Sequence, residues 1–95
     1  MNMAIEKTQI KLAIVDDHNL FRKGLIKLIN LADKENKYSI VFEAENGYEM
    51  KEKLDKKFFP DIILMDISMP EMDGYKSVAW LKEHYPEISI LVISM

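Results

Sequence analysis

Four short apolar runs alternate along the chain with segments in which apolar residues return every three or four positions. The runs are Ile10 to Val15, Ser39 to Ala44, Ile62 to Met65 and Ile88 to Ile93. Each is long enough for a strand buried on both faces and too short for a free-standing helix. Between the first two, Phe21, Leu25, Leu28, Ile29 and Ala32 fall at helical spacing and leave Arg22, Lys23 and Lys27 for water. Asp33 to Lys37 is a charged connection. Asn46 with Glu49 three residues on is a capping pair, and it opens a second helix that turns Met50, Leu54 and Phe58 inward. Lys51, Glu52, Lys53, Asp55, Lys56 and Lys57 form its solvated face, and Pro60 stops it. A third helix starts at Gly74, carries Tyr75, Val78, Leu81 and Tyr85 in one stripe, and ends before Pro86. Trp80 lies off that stripe, and its ring is expected to lie over neighbouring side chains. Alternating strands and helices with short connections predict parallel strands and right-handed crossovers, hence a doubly wound α/β sheet.

Two of these strands run straight into carboxylates. Ile62 to Met65 ends in Asp66, and the turn residues Met69-Pro70 and Asp73-Gly74 follow at once; Ile10 to Val15 ends in Asp16-Asp17-His18. A single Asp after a strand most often caps the next helix. Three at the ends of two strands point to an acidic site, because ligands of open parallel sheets collect outside the carboxyl ends of strands where the strand order reverses. Carboxylates held that close repel one another unless a cation lies among them, and oxygen ligands suit Mg²⁺. Asp66 is then the natural nucleophile toward a phosphoryl group, since the same ion offsets its charge and that of the incoming phosphate.

Composition removes several alternatives. Thirteen basic and sixteen acidic residues give a net charge of −3 without a basic block, so nucleic-acid binding by this segment is not expected. The chain has no cysteine, hence no disulfide framework and no thiolate metal site. Residues 1 to 9 lack the apolar core of a signal peptide, and no later run is long enough to span a membrane. A cytoplasmic domain without membrane contact is expected. Neither histidine has a metal-ligand partner at useful spacing, which leaves His18 as a loop residue, and three isolated glycines form no phosphate loop.

The order strand, Asp16-Asp17-His18, helix, then strand, Asp66-x-x-Met-Pro-x-Met-Asp-Gly, helix, then a strand ending in Ser94, resembles the receiver domain of two-component response regulators. The resemblance spans Ile10 to Met95, and the Leu-Val-Ile-Ser-Met ending is similar to receivers that carry helix-turn-helix output domains. It implies a flavodoxin-like sheet of order 2-1-3-4, with Asp66 as phosphoacceptor for the phosphohistidine of a sensor kinase. It further implies Asp17 as a direct Mg²⁺ ligand, Asp16 as a ligand through water, Ser68 as a ligand through its carbonyl, and Ser94 as the switch hydroxyl. The role implied is that of a signalling switch with weak self-catalysed phosphoryl transfer and dephosphorylation, not of an enzyme.

A complete receiver continues with a fourth helix, a fifth strand bearing a Lys that pairs with the phosphoryl group, and a fifth helix. None of these lies within the 95 residues, so the expectation is a single, incomplete, truncated receiver over residues 1–95. The sheet face that the fifth helix would cover, and the apolar last strand, are then expected to drive self-association. The alternative is a non-phosphorylated interaction module with a vestigial acidic site. A dehalogenase-like phosphatase would need Asp-x-Asp, and Asp66-Ile67-Ser68 lacks the second acid.

Overall fold

The computed structural model describes residues 9–69 and 73–93. Its elements run β1 (Ile10–Val15), α1 (Asn19–Ala32), β2 (Tyr38–Ala44), α2 (Gly47–Asp55), β3 (Ile62–Asp66), α3 (Gly74–His84) and β4 (Ser89–Ile93). The four strands are parallel in the order β2-β1-β3-β4. From β1 the chain first moves one way, to β2, and then back past β1 to β3. Right-handed crossovers therefore put α1 on one face of the sheet and α2 and α3 on the other.

Alternation along the strands decides what each face buries. Ala13, Val15, Ile63 and Met65 join Met50 and Leu54 of α2 and Leu81 of α3 in one core, with Phe42, Ala44, Met69 and Ile88. Leu12, Ile14 and Leu64, one position out of phase, are buried on the opposite face. Leu25, Ile26 and Ile29 of α1 are half-buried, whereas Leu28 is 65% exposed and Phe21, Leu31 and Ala32 also stand in water. The apolar arc of α1 is thus wider than its contact with the sheet, and the inward stripe inferred from spacing holds only for Leu25 and Ile29.

Several other positions differ from the sequence expectation. In α3 Gly74, Ser77 and Leu81 are buried and Val78 and Tyr85 pack half-buried against the core, while Tyr75, expected in the same stripe, is 69% exposed. Small residues at the start of this helix allow its backbone to approach the end of β3, where a phenol ring has no room. Helix α2 ends at Asp55, and Lys57 adopts a left-handed conformation (φ 67°), so the chain has turned before Pro60; Phe58 lies past the helix and is exposed. Lys51 is half-buried, its ammonium 4.7 Å from the centre of the Trp80 ring, which also stacks on His84 at 4.6 Å. Trp80 is therefore laid over its neighbours, as expected. The Asn46 side chain accepts the Glu49 N–H at 2.9 Å, and Glu49 reaches back to the Glu45 N–H at 2.8 Å. Among the described residues no helix is long and apolar enough to cross a membrane.

Candidate metal and phosphoacceptor site

Because β1 and β3 are neighbours with Val15 opposite Met65, the residues that follow, Asp16 and Asp66, emerge side by side at the carboxyl edge of the sheet. Both are essentially fully buried. Asp16 extends the ladder, its N–H donating to Ala44 O at 3.0 Å, and its Oδ1 accepts the His18 N–H at 2.7 Å. Asp66 Oδ1 accepts both the N–H of Ser68, at 2.9 Å, and its hydroxyl, at 2.7 Å. One oxygen of each carboxylate is thereby fixed. The other oxygens, Asp16 Oδ2 and Asp66 Oδ2, are buried without a hydrogen-bond partner, as is Asp17 Oδ1. Buried anionic oxygens without donors are costly, and a hard cation lying among these carboxylates lowers that cost. The donor set fits Mg²⁺.

Asp16, Asp17 and Asp66 are thus brought together, with ligand atoms within 4.8 Å of one another, and His18 belongs to the same group. Its Nδ1 lies 3.1 Å from Asp17 Oδ1, 3.4 Å from Asp16 Oδ1 and 4.0 Å from Asp66 Oδ2. Spacing rules tuned to ligands on one helix miss such a residue; the signal was three consecutive donor residues at a strand end. Ser68 is at the site as a donor to Asp66. Ser94, and Pro70, Glu71 and Met72 of the segment after Asp66, lie outside the described residues. Met69, a loop residue by sequence, is buried in the core and ties the segment after Asp66 to the sheet. Asp61 sits at the opposite end of β3, accepting the Lys11 N–H at 2.7 Å, and Asp73 caps α3 through the Lys76 N–H at 2.8 Å. Neither is committed to the cluster.

The sequence also placed Arg22 in water, but it is only 5% exposed. Its guanidinium donates to Asp16 O, to Asn19 Oδ1 at 2.7 Å and to Glu43 Oε1 at 2.9 Å, fastening α1 to the ends of β1 and β2. A guanidinium carries enough donors to satisfy this strand-end cluster, which a helical-spacing argument does not register. Burial acts to raise the Glu43 carboxyl, yet hydrogen bonds from Arg22 and Lys23 outweigh it and hold the group below its ordinary value of 4.5. A depressed carboxylate stabilises the fold above that value, and the contribution is lost as pH falls through the lowered folded-state value. We expect Arg22→Met to cost about 2 kcal/mol at neutral pH, from losing the guanidinium's hydrogen bonds to Asp16 O and Glu43, while Lys23 still faces the half-buried Glu43. Urea midpoints measured between pH 7 and pH 3 check this: the gap from the parent should narrow below pH 4.5.

The response regulator receiver domain family matches residues 12–95. The transcriptional regulatory protein DegU of Brevibacillus brevis is 36% identical over the whole chain, which spans 39% of DegU. The chemotaxis protein CheY of Listeria monocytogenes is 40% identical over 85 residues, covering 90% of this chain and 67% of CheY. Among solved structures, the receiver domain of RcsB from Salmonella enterica serovar Typhimurium, determined with the phosphomimetic BeF3−, superposes with a TM-score of 0.80 at 26% identity, over 93% of this chain and 63% of that one. The signal receiver domain of NarL from Mycobacterium tuberculosis gives 0.73 at 33% identity, over 90% and 66%. With the strand order, the paired aspartates and the match to nearly the whole sequence in agreement, the chain belongs to the response regulator receiver domain family.

Proposed function

We propose that the protein takes a phosphoryl group onto Asp66 from the phosphohistidine of a sensor kinase, with Mg²⁺ held by Asp16, Asp17, Asp66 and the Ser68 carbonyl. The observation that carries this reading is Asp66 Oδ2, buried and unpartnered beside the equally unpartnered Asp16 Oδ2 and Asp17 Oδ1. When bound, the ion supplies charge neutralisation for the carboxylates and the arriving phosphoryl oxygens. The Ser68 N–H and hydroxyl hold Asp66 Oδ1, so Oδ2 is the oxygen left to attack phosphorus. Attack forms an acyl phosphate as the P–N bond breaks and the imidazole leaves. Slow loss of the group to water makes the protein a switch, with Ser94 as the hydroxyl that turns toward the phosphoryl oxygens. It acts in the cytoplasm, without binding nucleic acid through this segment.

Two amide groups report on the site directly, those of His18 and Ser68, because each donates to one of the carboxylates. Titration with Mg²⁺ should move both resonances, and Asp17→Asn should weaken the ion sharply. Trp80, packed against Lys51 and His84, is not a suitable reporter. Acetyl phosphate should then give an acyl phosphate with Mg²⁺ and none with EDTA. A chain that binds no Mg²⁺ and takes no label would instead be the vestigial interaction module.

Self-association of the 95-residue chain is part of the same reading. Strand β4 is an edge of the sheet among the described residues, with Leu91 55% exposed and Val92 also in water, and α1 presents Leu20, Leu28 and Leu31. Pairing of edges or apolar faces removes this surface from water at about 25 cal/mol per Å². Light scattering should show mass rising with concentration; a monomer throughout the series would contradict it.

A further inference from the structure

We infer that His18 is a ligand of the same site through Nδ1, and that it opens the site to divalent transition ions with affinity for imidazole in addition to Mg²⁺. The inference rests on the reading of the acidic cluster as a cation site. Nδ1 approaches three separate carboxylates, at 3.1, 3.4 and 4.0 Å. The nearest oxygen, Asp17 Oδ1, nevertheless has no hydrogen-bond partner, so the ring is not aimed there as an N–H donor. Two ligands each about 2.1 Å from one ion stand roughly 3.0 Å apart at right angles and roughly 4.2 Å apart when opposite, and the approaches to the unpartnered Asp17 Oδ1 and Asp66 Oδ2 fall within that span. The fully buried Asp16 Oδ2 and Asp66 Oδ2 supply unpartnered oxygens in the same group. The His18 backbone is anchored beside the cluster, its N–H donating to Asp16 Oδ1, while the exposed ring makes no capping bond to the start of α1. The imidazole is thus free to ligate. Carboxylate oxygens suit Mg²⁺ and Mn²⁺, whereas an added imidazole favours ions such as Co²⁺, Ni²⁺ and Zn²⁺.

Any oxygen site binds Co²⁺ more tightly than Mn²⁺, so affinity for cobalt alone decides nothing. The deciding quantity is what His18 adds. Co²⁺ and Mg²⁺ affinities of the full chain should be measured by calorimetry for the parent, His18→Gln and His84→Gln. Loss of a group that merely orients a ligand costs roughly tenfold or more, so His18→Gln should weaken Co²⁺ at least about tenfold more than Mg²⁺. The chain has two histidines, and the Co²⁺ form of the parent should show hyperfine-shifted resonances of one imidazole that persist in His84→Gln and vanish in His18→Gln. Equal weakening of both ions, no weakening, or no shifted imidazole in the parent would overturn the inference. The parent spectrum needs no variant to fold. If Mg²⁺ binds and Asp66 is labelled while Co²⁺ ignores His18, this inference alone fails; if neither occurs, the cation-site reading fails with it.

Discussion

Gly74→Ala is expected to destabilise the fold by about 1–3 kcal/mol and to disturb Asp66, although the change adds a single methyl group. Helix α3 starts against the tip of β3, and a Cβ at Gly74 would overlap Ile67 Cα and the Asp66 carbonyl oxygen and come within 2.9 Å of Ile67 N. All three are backbone atoms, so no side-chain rotation relieves the overlap; either α3 retreats or the Asp66–Ile67 segment moves. In the second case Ser68, which follows directly, loses its alignment on Asp66 Oδ1. Gly24 provides the contrast, since a Cβ there meets nothing within 4 Å and the residue lies inside α1. Gly24→Ala should therefore stabilise by about 0.5–1 kcal/mol, through helix propensity alone. Urea midpoints of the two variants, with the Ser68 amide shift as a local reporter, check both signs. A Gly74→Ala chain as stable as its parent would mean that α3 does not press on the end of β3.

That glycine also shows where sequence and structure part. The turn chemistry of Asp73-Gly74 is legible in the chain, but the reason for the glycine, close approach of one backbone to another, belongs to packing. Strand identity was legible because strands buried on both faces leave near-continuous apolar runs, whereas the order 2-1-3-4 came from the resemblance to receivers. Asp16, Asp17 and Asp66 were legible for the same reason: the ends of two such strands fix their place. What escaped was lateral. Arg22 reads as a solvated position on a helix until the ends of β1 and β2 are seen to offer it Asp16 O and Glu43. Tyr75 reads as an inward residue until Gly74 and Ser77 prove to face the sheet instead. On α1, helical spacing marks an apolar arc without saying how much of it the sheet covers, and Leu28 lies on the uncovered part. His18 stood next to the aspartates in sequence, but its bearing on all three depends on how the loop after β1 folds back.

On the proposed function Asp66, and no other acid in the chain, receives the phosphoryl group. Asp16 is equally buried, but the resemblance gives it a ligand's role, while Asp61 and Asp73 are occupied at the foot of β3 and the start of α3. In-line attack needs a free oxygen held at the site, and Asp66 Oδ2 meets that requirement while Ser68 holds its partner. The most direct measurement is to incubate the chain with acetyl phosphate and Mg²⁺, reduce the acyl phosphate with borohydride, and locate the reduced residue by mass spectrometry. A mark at Asp66 alone that disappears in Asp66→Ala is expected; a mark on Asp16 or Asp17, or label that survives in Asp66→Ala, would place the phosphoryl group elsewhere.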